Sequence, residues 1–198
     1  MAKTKVVFIG NSIVNGFPHK RSQCFVSLYR EATGFEVINK GQNGETTAAV
    51  LARLQKDALA HRPDLVYLLS GTNDFIYKET DPAGSLALYD KIADMVTEAG
   101  ARPVLLIPLP IDPPMASRLW IPGIDYAAIA RQLEELRRLM LAYKEEKPAE
   151  VLDTHAFFAG LYTEETKEEY LRDGLHPTVQ GHEALARFLT AQLPEQRP

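Results

Sequence analysis

A serine, a histidine and a carboxylate stand in this sequence within short segments of small and polar residues. Ser12 closes Gly10-Asn11-Ser12, and Asp173 precedes His176 by three residues in Asp173-Gly174-Leu175-His176. Two further segments, Gly41-Gln42-Asn43-Gly44-Glu45-Thr46 and Gly71-Thr72-Asn73-Asp74, supply glycine backbone and a side-chain amide. A serine hydroxyl is a weak nucleophile until a base takes its proton, and a neutral imidazole needs a carboxylate to hold its tautomer. Glycine lets the backbone N–H come close to a reacting atom, and an amide donates without a titratable charge. Together these are the groups that acyl transfer requires: nucleophile, base, orienting carboxylate and donors for an oxyanion.

The elements that would have to position them follow from periodicity. Short β-branched runs at Lys5–Ile9, Phe35–Asn39, Leu65–Ser70, Pro103–Ile107 and Val151–Asp153 read as strands. They alternate with helical patterns at Ser22–Thr33, Thr47–His61, Pro82–Ala99, Tyr126–Glu146 and Val179–Leu193. Five strands separated by helices imply a parallel sheet with right-handed crossovers and helices on both faces. The expected fold is a flavodoxin-like three-layer α/β/α domain spanning 1–198; periodicity alone does not set the strand order, and 2-1-3-4-5 is favoured because it lets so short a chain cover both faces. In such sheets ligands bind beyond the carboxyl ends of the strands, where the strand order reverses. The four polar segments would then share one rim.

These four segments, in this order along the chain, resemble the four blocks of the SGNH (GDSL-like) hydrolases: Gly10-Asn11-Ser12-Ile13, Asn39 to Thr46 with Gly44, Gly71-Thr72-Asn73-Asp74, and Asp173-Gly174-Leu175-His176. The resemblance implies serine-dependent hydrolysis of a carboxylic ester or thioester through an acyl-enzyme. Ser12 would be nucleophile, His176 general base and acid, and Asp173 the orienting carboxylate. The oxyanion hole would come from the N–H of Ser12, the N–H of Gly44 and the side chain of Asn73. Ile13, Phe75 and Trp120 are expected to contact substrate, and neither a metal nor another cofactor is called for. One departure stands at position 11, where the family usually has aspartate and this chain has Asn11. Asparagine keeps the shape and the acceptor oxygen but not the charge, so the field at His176 would differ if the two residues face each other.

Blander readings exist for each residue. Ser12 taken alone reads as a helix N-cap, Asn73 and Asp74 as turn residues bonding their own backbone, and Asp173 to Pro177 as a surface turn. Asp74 is expected to be such a turn residue. His182 does not share a metal-ligand spacing with His176 and is expected to be packed or capping, as are His19, His61 and His155. Asp153 is expected to be a structural acceptor, and Arg131 to Arg138 a solvated helix face. Val14 stands where the Gly-x-Ser-x-Gly elbow has its second glycine, and Gly10 to Gly16 lacks the dinucleotide fingerprint and the P-loop lysine. The alternative from another class is a flavodoxin-like module that cradles phosphate without catalysis.

Composition narrows the partners. A chain of 198 residues, 45% hydrophobic and 24% charged, has the make-up of a globular domain. A net charge of -4 provides no basic footprint for nucleic acid or anionic membrane, so a small or neutral partner is expected, which the resemblance implies to be an ester. Oligomeric state is not legible. The single cysteine, Cys24, cannot form an internal disulfide. No apolar run matches a secretory core or a membrane span, which points to a soluble, cytoplasmic protein. The connection Pro108 to Asp125 carries Met115, Leu119, Trp120 and Ile121 among five prolines. Too apolar for disorder, it is expected to wall the acyl site through Trp120.

Overall fold

A computed structural model of the protein describes residues 3–147 and 149–193. Along the chain the elements are β1 (Lys5–Gly10), α1 (Ser12–Asn15), α2 (Phe25–Thr33), β2 (Glu36–Gly41), α3 (Thr47–Asp57), β3 (Leu65–Leu69), α4 (Thr72–Ile76) and α5 (Pro82–Glu98). There follow β4 (Arg102–Leu106), α6 (Pro113–Leu119), α7 (Tyr126–Glu146), β5 (Glu150–Leu152), α8 (Thr154–Ala159), α9 (Lys167–Tyr170) and α10 (Val179–Ala191). The strands form one parallel sheet in the order β2-β1-β3-β4-β5.

Strand residues alternate between the two faces, as the two-residue period requires. Val7, Ile9, Val66, Leu68 and Leu105 pack against Val50 and Leu54 of α3, Tyr89 and Ile92 of α5, and Leu133, Leu136 and Met140 of α7. Val6, Phe8, Tyr67 and Leu106 turn the other way, against Phe25 and Tyr29 of α2 and Leu185 and Leu189 of α10. Both faces being covered, the inner strands read as unbroken apolar runs. No helix among the described residues is long and apolar enough to cross a membrane.

The chain leaves β1 for β2 on one side of the sheet and returns to β3 on the other. The connections that leave the carboxyl ends of β1 and β3 thus diverge at a switch point, where a crevice opens. At that end Gly10 pairs with both Gly41 and Leu69. Gly10 has φ +155, and a Cβ there would lie 1.9 Å from the Leu69 carbonyl oxygen. A side chain would force the two strand ends apart.

Several element boundaries depart from the sequence expectation. The expected helix Thr47–His61 gives way after Asp57 to a 3-10 turn at Leu59–His61, and the one from Ser22 begins only at Phe25, after a 3-10 turn. Asp153 leaves β5 to cap α8, accepting the Ala156 N–H at 2.9 Å, which bears out its reading as a structural acceptor. The connection from Pro108 to Asp125 is not a structureless loop. Asp112 accepts the Met115 N–H at 2.8 Å and Pro113 begins α6, where a proline ring costs nothing because that N–H has no intrahelical partner.

Candidate active site

The site grows out of the strand ends. Immediately after β1, Asn11 caps α1 by accepting the Ile13 N–H at 3.1 Å, so Ser12 is the first helical residue rather than the cap. Its N–H belongs to the helix terminus, where no intrahelical acceptor exists, and it has no protein acceptor among the described residues. After β2 the chain turns through Gly44, at φ +78, whose N–H likewise has no protein acceptor among those residues. After β3, Gly71 leads into α4, and the Asn73 amide donates to the Glu45 carbonyl at 2.8 Å. That bond ties the loops after β2 and β3 together, and the second N–H of the amide is left for another acceptor.

Asp173 and His176 arrive from the far end of the chain on a closed turn. Leu171 bridges Pro177, and the Arg172 N–H donates to the His176 carbonyl at 2.9 Å. Inside the turn, Asp173 Oδ1 accepts the N–H groups of Leu175 and His176 at 3.0 and 2.8 Å, and Oδ2 lies 2.9 Å from His176 Nδ1. His176 Nε2 lies 3.0 Å from Ser12 Oγ. The ionised carboxylate can only accept, so Nδ1 carries the proton and Nε2 is free to accept from the hydroxyl. Burial pushes the Asp173 carboxyl up, but the hydrogen bond to His176, attraction to that ring and the two backbone donors outweigh it and hold it below the ordinary carboxylate value.

A cleft of about 140 Å³ opens beside Ser12. Its walls are apolar, from Ile13, Phe17, Ile76, Tyr77, Trp120 and Ile121, while Ser12, Gly44, Asn73 and His176 supply its polar atoms. The structure thus brings Ser12, Gly44, Asn73, Asp173, His176, Ile13 and Trp120 to one place. The expectation for Phe75 is revised: its side chain is 2% exposed, packs in the core and lines the neighbouring groove rather than this cleft. Asp74 is also not the turn residue expected. It is buried and accepts the Thr47 N–H and the Ser85 hydroxyl, each at 2.7 Å, because the starts of α3 and α5 both reach it.

Residues that the sequence reading did not single out complete the site. Phe17 and Tyr77 carry no motif, and only their nearness in sequence to Ser12 and Asn73 hinted at them. Arg53 of α3 donates to Glu45 Oε2 at 2.6 Å, to Asp57 at 3.2 Å and to the Gly10 carbonyl at 3.2 Å. It clasps the loop after β2 to the end of β1, and helical periodicity gave no sign of that. His182 is fully buried and packed, its ring parallel to Phe25 and its Nδ1 accepting the Phe25 N–H at 3.4 Å.

Residues 8–184 match the model of the GDSL-like lipase/acylhydrolase family. An acetylxylan esterase of Geobacillus stearothermophilus is 27% identical over 162 residues, covering 81% of this chain and 73% of that protein. An arylesterase of Vibrio mimicus is 25% identical over 199 residues, covering 97% of this chain and 89% of its own. The fold is shared with a member of the lipolytic G-D-S-L family from Veillonella parvula DSM 2008, with a TM-score of 0.81 at 16% identity over 98% of this chain and 100% of that one. With the match running from β1 into α10, the chain belongs to the GDSL-like lipase/acylhydrolase family and is a carboxylic ester hydrolase.

Proposed function

We propose that the protein hydrolyses its ester in two steps through an acyl group carried on Ser12. The observation that supports this most directly is the continuous line of contacts from Ser12 Oγ to His176 Nε2 at 3.0 Å and from His176 Nδ1 to Asp173 Oδ2 at 2.9 Å. In the first step Oγ attacks the carbonyl carbon as its proton passes to Nε2. The carbonyl π electrons move to the oxygen, and that oxyanion is received by the N–H of Ser12, the N–H of Gly44 and the free N–H of Asn73. Collapse expels the alcohol, which takes the proton from Nε2. Water then repeats the sequence on the acyl-serine, releasing the acid and restoring the hydroxyl. Asp173 keeps its charge throughout and stabilises the imidazolium.

The apolar walls, with Ile13 and Trp120 among them, would hold the acyl group or the alcohol. Relatives named acetylxylan esterase and arylesterase support an oxyester as substrate. The test is incubation with a fluorophosphonate, followed by mapping of the label and assay on phenyl acetate. We expect the label on Ser12, and loss of both label and hydrolysis in Ser12→Ala. Normal turnover by Ser12→Ala would overturn the proposal.

A further inference from the structure

Resting on that reading, the geometry points to Phe17 and Trp120 as positioning residues for His176, a pair of rings that hold the imidazole in line between Ser12 and Asp173. The two ring centroids lie 5.0 and 4.8 Å from that of the imidazole, with planes inclined by 66° and 67° to it. Phe17 and Trp120 also meet each other edge to face, at 5.8 Å and 71°. Three rings therefore form one closed cluster around the group that must shuttle the proton.

The backbone shows why these rings are held where they are. Phe17 belongs to the nucleophile's own turn, its N–H donating to the Ser12 carbonyl at 3.0 Å. Trp120 belongs to the other half of the site. Its N–H donates to Ala116 at 3.0 Å at the end of α6, and the N–H of Asp112 at the start of α6 donates at 2.9 Å to Gly174, inside the turn that carries Asp173 and His176. One ring thus moves with Ser12 and the other with Asp173. Their contact beside His176 fastens together two turns that come from opposite ends of the sequence.

The physical consequence is positional. A rotation of the imidazole about its Cβ–Cγ bond would break the contacts with Ser12 and Asp173 together, and the two rings, packed against the imidazole and against each other, oppose that rotation. The alignment of Nε2 with the Ser12 hydroxyl is needed as the proton moves, so holding it lowers the barrier rather than strengthening substrate binding. A ring that only walls the acyl group would do the reverse, raising KM for long acyl chains when removed and leaving the turnover of small esters alone.

The experiment measures kcat and KM separately for Trp120→Leu, Phe17→Leu and Trp120→Phe, on phenyl acetate and on phenyl hexanoate. Leucine keeps apolar bulk and lacks the ring; phenylalanine restores one. We expect each leucine variant to lose kcat on phenyl acetate by about three- to thirtyfold with KM changed less than about twofold. The rate of Ser12 labelling by the fluorophosphonate should fall with kcat, and Trp120→Phe should recover most of both. Unchanged kcat on phenyl acetate, or a loss seen only as a KM that grows with acyl length, overturns the proposal while leaving Ser12 as nucleophile untouched. If Trp120→Leu does not fold, Phe17→Leu on its separate segment carries the same test.

Discussion

Asn73 illustrates how one side chain takes two tasks. One amide N–H ties down the Glu45 carbonyl, and the other is available to an oxyanion. Charge on that oxygen exists only in the transition state, so Asn73→Ala is expected to lower kcat by about 10²–10³ with little change in KM. Steady-state kinetics on phenyl acetate check it, and a normal kcat would remove Asn73 from the oxyanion hole. Asn11, where the chain departs from its family, is 2% exposed with its carboxamide oxygen on the Ile13 N–H. An aspartate oxygen can cap the same N–H. Asn11→Ala should therefore cost about 1 kcal/mol in chemical denaturation and Asn11→Asp much less. Equal losses in both would show that the amide does more than cap.

Elements matter here through the loops they clasp. Arg53 projects from α3 to hold Glu45, Asp57 and the Gly10 carbonyl, and Glu45 is also the residue whose carbonyl Asn73 grips. Arg53 and Asn73 thus act on one loop from two sides. Arg53→Met should lower kcat, and combined with Asn73→Ala it should lower it by less than the product of the two single losses. A double-mutant cycle measures this, and strict additivity would mean that the two residues do not share the loop. A comparable dependence joins α6 to the turn bearing His176. Gly174 has φ +86, and a Cβ there would lie 2.5 Å from the Ala116 nitrogen and 2.7 Å from the Asp112 carbonyl oxygen. Gly174→Ala should push α6 and its Trp120 away from His176, with loss of both thermal midpoint and activity.

At the scale of the whole molecule, His182 links stability to pH. Its ring lies between α2 and α10, Nδ1 accepts from Phe25, and Nε2 is buried without a hydrogen-bond partner among the described residues. Burial, with smaller contributions from His19 and His176, lowers its pKa from 6.5 to about 3. The unfolded chain takes up this proton near pH 6.5 while the folded chain refuses it until about 3. Stability from His182 is therefore whole above the unfolded value and drains away as pH falls toward about 3. The slope from this group is at most about 1.4 kcal/mol per pH unit. Denaturation midpoints measured between pH 7 and pH 4 should fall more steeply in the wild type than in His182→Gln, which cannot take a proton. Parallel slopes would show that His182 does not govern the acid limb.

The order of strands and helices, the parallel sheet and the four polar segments were legible in the sequence, because apolar period and turn chemistry are local properties. So were Ser12, Asp173 and His176 as a set, Ser12 because it follows the apolar run of β1, and Asp173 and His176 because they stand three residues apart in the last of the four ordered segments. What the chain's order along the line could not express is which side chains meet across it. Asp74 looked like a turn residue and is a buried acceptor for α3 and α5, and Phe75, one position on, faces the core because a short helix turns it away from the cleft. The clasp of Arg53 and the rings of Phe17 and Trp120 around His176 depend on contacts between segments far apart in sequence. Such contacts are decided by how helices pack over the sheet, and that packing is a property of the assembled core, which no single stretch of sequence contains.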